Sequence, residues 1–167
     1  IRPTKVIKVG RAGPNSDPNA PSLSIKADNA VNSPFRDIVI PPGVKQIQCE
    51  TKLAVVIGKR CDNVAPDKAY DVVLGYMIAN DVSVRDEANP NDMYNTFLPT
   101  GPWMVTRDEV KDAMNLRIRV QINGKPGRDT STKDMAMSIP QLIAYVSSIM
   151  KLEPGDMILT GTPKAGA

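Results

Sequence analysis

A chain of 167 residues with 41% hydrophobic and 23% charged side chains predicts one soluble globular domain over residues 1–167, large enough to bury a substantial core. Its net charge of +3 is spread along the chain without a run of like charges, which argues against a nucleic-acid partner. No apolar stretch approaches the roughly 18 residues of a membrane span, and the first ten residues lack a signal peptide's apolar region, so no membrane partner is expected.

In chain order, residues 5–10 (KVIKVG) form a short strand ending at glycine, and residues 11–21 (RAGPNSDPNAP) form a Pro- and Asn-rich loop. Residues 22–27 read as a second strand, and Pro41-Pro42-Gly43 turns the chain into residues 46–58 (QIQCETKLAVVIG). There Leu53, Ala54, Val55, Val56 and Ile57 make an unbroken apolar run, the pattern of a strand buried on both faces. Residues 64–73 (VAPDKAYDVV) carry Pro66 and Asp67 where a first helical turn places them, and predict a helix.

The strand over residues 75–84 follows, then a polar loop over 87–95. Residues 97–106 are extended, bent at Gly101-Pro102, with Trp103 as a core anchor. Residues 116–122 (LRIRVQI) alternate apolar and polar, and Asn123-Gly124 supplies a hairpin turn. Residues 138–150 (SIPQLIAYVSSIM) have Ile139, Leu142, Ile143, Val146 and Met150 at helical spacing, Ser138 as N-cap and Pro140 in the first turn. That helix should lie on the sheet. Pro154-Gly155-Asp156 leads into a last strand over 157–160.

The sequence contains no histidine. Nucleophiles of the Ser-His-Asp or Cys-His kind are thereby excluded, as is an imidazole base. Acid and base work must fall to carboxylate, lysine, tyrosine or bound water. Cys49 and Cys61, without a CxxC spacing, do not make a structural zinc site and read as buried or idle thiols of a reducing compartment, the cytoplasm or alternatively the mitochondrion.

Two polar stretches interrupt the apolar strands. Glu50 and Lys52 are two apart and so point to one side of a pleated strand, while residues 75–86 (GYMIANDVSVRD) turn abruptly polar at Asn80 and Asp81. If the two strands are neighbours, Glu50, Lys52 and Asp81 converge at the mouth of one core. Carboxylates there cost several kcal/mol unless a cation, an ammonium or another donor meets them.

The ordered motifs E-x-x-LAVVIGK, GY-x-x-x-NDVS-x-RD, TF-x-P-x-GPW-x-VT and L-x-PGD-x-I-x-TGTP, from about Lys5 to Pro163, resemble the fumarylacetoacetate hydrolase superfamily. The resemblance implies an α+β fold, mostly β, built as a mixed bent β-sandwich or roll with a few helices. It implies enzymes that hydrolyse, decarboxylate or tautomerise 2-oxo acids and 1,3-diketones through a stabilised enolate, and commonly a homodimer. The family usually continues where this chain stops, so a truncation at the C-terminus is expected.

In the family a Glu-x-Glu pair and a later Asp hold one Mg2+ or Mn2+, which stabilises the enolate. Glu50 matches the first metal ligand and Asp81 the third, but Lys52 stands where the second Glu belongs. An ammonium near 4 Å repels a dication by several kcal/mol at an effective dielectric near 20. Three arrangements are open. Lys52 turns away and a weak Mg2+ remains; the Lys52 ammonium takes the metal's place, as an electrophile or as a salt bridge in a non-catalytic member; or Lys52 is a surface residue.

The resemblance further implies catalytic and substrate-carboxylate roles for Arg85 and Thr162, with Ser83 as a further substrate contact. Lys52, which departs from the family pattern, is the catalytic candidate in the metal's place, and Tyr94, in the loop beside the site, is a candidate substrate donor. Arg85 suits a carboxylate through its fork of donors. The family's catalytic Lys aligns here with Asp92, and its Gln near Ala88. A metal-independent isomerase or cyclase using Lys52 is the alternative activity.

Overall fold

The two long strands predicted from the apolar runs pair with each other and form the spine of the fold. In the computed structural model, which describes residues 3–10, 21–85 and 93–161, β4 (Ile47–Ile57) and β5 (Val73–Val84) run antiparallel from Ile47 opposite Val84 to Val56 opposite Gly75, with a bulge before Ile57. Around them lie β1 (Val6–Gly10), β2 (Ser22–Lys26), β7 (Val105–Thr106) and β10 (Met157–Leu159). The sheet order is β2-β1-β10-β4-β5-β7, with β1 and β10 parallel and the other pairs antiparallel. Two smaller ribbons join β3 (Val31–Asn32) to β6 (Leu98–Pro99), and β8 (Arg117–Ile122) to β9 (Lys125–Ser131).

The buried run has the expected two-sided environment. Leu53, Val55 and Ile57 face the helix α1 (Ile139–Ile149), packing with Leu142, Ile143 and Val146. Ala54 and Val56 face the other way, onto Phe97, Leu98, Met157 and Leu159. The helix starts where its sequence says. Ser138 Oγ accepts from the Gln141 N–H, and Gln141 Oε1 accepts from the Ser138 N–H at 2.9 Å, a reciprocal cap.

The short β10 is fixed by its neighbours rather than by its length. Gly155 takes a left-handed φ of +93° in the preceding turn and donates to Ile57 O at 2.8 Å. Asp156, fully buried, then accepts from Thr4 Oγ1 (2.5 Å), the Lys5 N–H (3.1 Å) and the Glu153 N–H (2.7 Å), and pairs with the Lys5 ammonium. This stitches β1 to the start of β10.

The sheet is mixed and strongly bent, and one contact measures the bend. Lys26 on β2 and Asp81 on β5 are four strand spacings apart, about 19 Å in a flat sheet. Their side chains nevertheless meet at 2.7 Å. The sheet must therefore curl until its β2 side approaches β5, which gives the roll expected of an α+β, mostly β domain.

Some elements depart from expectation. Residues 64–73 give no α-helix; Pro66–Val72 form a 3-10 stretch whose N-cap, Ala65, has no side-chain acceptor to offer. Val72 O is drawn into bonds from the Gly58 and Lys59 N–H groups, and Val73 already belongs to β5. Trp103 is 73% exposed and anchors nothing in the core; Phe97 and Leu98, both fully buried, fill that place. Residues 97–106 pair at β6 and β7 and through a single antiparallel bridge from Thr100 to Ala79. Cys49 is exposed and Cys61 half-buried, so both are free thiols but neither is a core residue. Of the expected loops at 11–21 and 87–95, residues 11–20 and 87–92 lie outside the described residues. Among the described residues, no helix is long and apolar enough to cross a membrane.

Candidate active site

Register brings the polar residues of the two long strands together. Glu50 lies directly opposite Asp81, and Lys52 opposite Ala79, so all three project from one face of the β4–β5 pair. Lys52 Nζ stands 2.9 Å from Asp81 Oδ2 and 3.4 Å from Glu50 Oε2. Lys52 and Asp81 are each 1% exposed, whereas the Glu50 side chain keeps 28% of its surface in solvent and accepts from Gln48 Nε2 at 3.0 Å. Glu50 is thus the open side of the cluster and Asp81 its floor.

Two further lysines close on the same carboxylate. Lys26 Nζ donates to Asp81 Oδ1 at 2.7 Å and to Val82 O at 2.5 Å, and Lys8 Nζ lies 3.3 Å from Oδ2. Both were invisible to sequence reading as site residues. The only signal was parity: Lys8 sits between the buried Ile7 and Val9, so its side chain must leave on the opposite face from theirs. Knowing that it meets Asp81 requires the strand order and the roll.

Among these five side chains, three ammoniums face two carboxylates. Burial alone pushes the Asp81 carboxyl up, but Lys52 and then Lys26 outweigh it and hold the group below the ordinary carboxylate range. Asp81 therefore stays ionised, and its charge offsets the cost of burying Lys26 and Lys52. Oδ2 meets both Lys52 and Lys8 at ion-pair distance.

The donor set does not fit a divalent ion. Mg2+ asks for octahedral oxygen ligands at about 2.0–2.1 Å. Here a buried ammonium stands between the two carboxylates, and among the described residues no three of His, Cys, Asp and Glu are grouped to hold a metal.

The other predicted residues scatter around this centre. Ser83, half-buried, is two residues beyond Asp81 and opposite Gln48, on the cluster's face. Arg85 is exposed at the end of β5, its N–H donating to Gln46 O at 3.1 Å. Tyr94 packs its ring edge-on to Phe97, with centroids 5.2 Å apart. Thr162, Asp92 and Ala88 lie outside the described residues. Tyr76 is buried, and burial pushes its phenol up to about 12, so it remains protonated at neutral pH.

Residues 4–167 match the family described as Fumarylacetoacetate (FAA) hydrolase C-terminal. An uncharacterized protein of Pyrococcus abyssi is 39% identical, over 98% of this chain and 80% of its own length. A 5-carboxymethyl-2-hydroxymuconate delta-isomerase from Mycobacterium smegmatis superposes with a TM-score of 0.88 at 33% identity, over 99% of this chain and 70% of its own. Maleylpyruvate hydrolase from Sphingobium sp. SYK-6, solved in complex with manganese(II) and pyruvate, gives a TM-score of 0.86 at 33% identity, over 98% of this chain and 61% of that one.

Proposed function

The chain belongs to the fumarylacetoacetate hydrolase family, and from that premise we propose that it acts on a small 2-oxo acid or 1,3-diketone through an enolate held by the Lys52 ammonium rather than by a divalent ion. The observation that carries this reading is the position of Lys52 Nζ, between Asp81 at 2.9 Å and Glu50 at 3.4 Å. Hydrolysis, decarboxylation and keto-enol tautomerisation share one demand: negative charge develops on the 2-oxo oxygen when a bond to C3 yields its electrons. A fixed ammonium in a site shielded from water stabilises that charge without reorganising.

In the tautomerisation, the C3–H bond breaks and its proton passes to Glu50, the more open carboxylate. The electron pair moves to the 2-oxo oxygen beside Lys52, and Glu50 then passes its proton to that oxygen to give the enol; reversal restores the ketone and the Glu50 carboxylate. Asp81 keeps the Lys52 side chain aimed. Ser83, Arg85, Tyr94 and Thr162 remain the proposed contacts for the substrate's carboxylate and flanking groups. The isomerase and the hydrolase among the similar structures support this reaction class.

The test is ketonisation of enol-oxaloacetate followed by ultraviolet absorbance in EDTA. Wild type should accelerate it, and Lys52→Met should lose about 100-fold or more, the scale of one charge-stabilising donor. Activity that appears only after Mn2+ is added would overturn the proposal. A second reading is favoured by the near-complete burial of Lys52 and Asp81: a non-catalytic member whose metal site has become an internal salt bridge. It predicts no turnover with or without metal, and a Lys52→Met effect on stability alone.

A homodimer is proposed as well. Pro34 packs over Gly101, and Gly101 N–H donates to Ile78 O at 2.9 Å. This brings Phe35, Ile78 and Trp103, which are 83%, 45% and 73% exposed, to one side of β5. Exposed apolar groups gathered in this way mark interaction surfaces. A reducing, cytoplasmic setting is proposed on the two free thiols.

A further inference from the structure

We propose that Lys26 is the positioning residue of this site: by tying Asp81 Oδ1 to the main chain of β5, it turns Oδ2 toward Lys52 and Lys8. This deepens the reading above and rests on it for its catalytic consequence. The geometry is specific. One ammonium donates to Asp81 Oδ1 at 2.7 Å and to the carbonyl of the next residue, Val82, at 2.5 Å. A carboxylate bridged to its own neighbouring peptide cannot rotate about its side-chain torsions without breaking the bridge.

The second carboxylate oxygen is then left pointing at Lys52 (2.9 Å) and Lys8 (3.3 Å). Lys26 itself is 1% exposed and on the far side of Asp81's two oxygens from Lys52, so it acts through Asp81 and not on substrate. Its backbone comes from β2, four strand positions away. The roll of the sheet therefore delivers it, and Lys26 couples the closure of the fold to the aim of Lys52. Removing it frees Asp81 to swing, and Lys52 loses its fixed partner; a misplacement of about 1 Å at a reacting centre can cost about a hundredfold in rate.

The experiment pairs kinetics with a structure. In EDTA, on enol-oxaloacetate, Lys26→Met should lower kcat by roughly 10- to 100-fold while KM stays within about threefold, because ground-state binding does not use Lys26. Lys26→Arg, which keeps the charge and can donate to both acceptors, should recover most of kcat. A crystal structure of Lys26→Met should show Asp81 rotated and Lys52 Nζ no longer within ion-pair distance of it.

An unchanged kcat with Asp81 in place would overturn the proposal, reducing Lys26 to a seam in the roll. If Lys26→Met does not fold, Lys26→Gln, which lacks the charge and is too short to hold both acceptors, carries the test: a kcat lowered at unchanged KM with Asp81 displaced supports the proposal, and a wild-type kcat, or a lowered kcat with Asp81 in place, refutes it. A wild type inactive in EDTA, with Asp81 rotated in Lys26→Met, would sink the enolate reading and leave the positioning role standing.

Discussion

Replacing Lys52 by glutamate should convert the cluster from one that repels a dication to one that captures it. The change removes an ammonium 2.9 Å from Asp81 and 3.4 Å from Glu50 and places a third carboxylate beside them. A like charge about 4 Å away costs about 4 kcal/mol at an effective dielectric of 20, and removing one partner of a buried pair costs about 3–5 kcal/mol. Lys26 and Lys8 stay and offset part of this. Against a total stability of roughly 5–15 kcal/mol, Lys52→Glu in EDTA should be folded but markedly less stable.

Mn2+ at a hundredfold excess over its Kd should return about 2.7 kcal/mol. At roughly 2–4 °C per kcal/mol for a chain of this size, that is a rise in Tm of about 5–11 °C. Thermal unfolding with and without Mn2+, with calorimetric titration of the ion, reads both quantities. Wild type should show neither heat nor shift. A wild type that binds Mn2+ as tightly as the variant, or a variant that gains no affinity, would refute the charge argument.

Further predictions concern the scaffold. Asp156 is buried, which raises its carboxyl, but the Glu153 N–H, Lys5 and Thr4 outweigh burial and hold it low. With the folded pKa depressed, the unfolded chain binds more protons near pH 3.9 and below, so this stabilisation is complete above about pH 4 and lost as pH falls through the folded value; acid titration followed by circular dichroism should show a shallower loss in Asp156→Asn. Phe97→Ala should cost about 3–5 kcal/mol in urea unfolding, and Trp103→Ala, measured on the monomer, within about 0.5 kcal/mol. Light scattering should give a dimer for wild type and a shift toward monomer for Trp103→Lys.

What the sequence shows of this protein depends on how locally each feature is encoded. The run from Leu53 to Ile57, the capped helix and the Asn123-Gly124 hairpin are local patterns, and each appears in the structure where periodicity put it. Glu50, Lys52 and Asp81 were legible as a group because their convergence needed only that two strands pair. Lys26 and Lys8 were not, because their contact with Asp81 is made by curvature across the whole sheet, which no short window of residues records. Trp103 misled for the complementary reason: its size argued for the core, but the adjoining Phe97 and Leu98 already fill that layer.

Exchange of the methyl protons of pyruvate in deuterium oxide, followed by proton NMR, reports enolate formation without any assumption about the natural substrate. The account predicts exchange catalysed by the wild-type protein in EDTA, unchanged by added Mn2+ and abolished in Lys52→Met. Exchange that is absent in EDTA and appears with Mn2+ would contradict it.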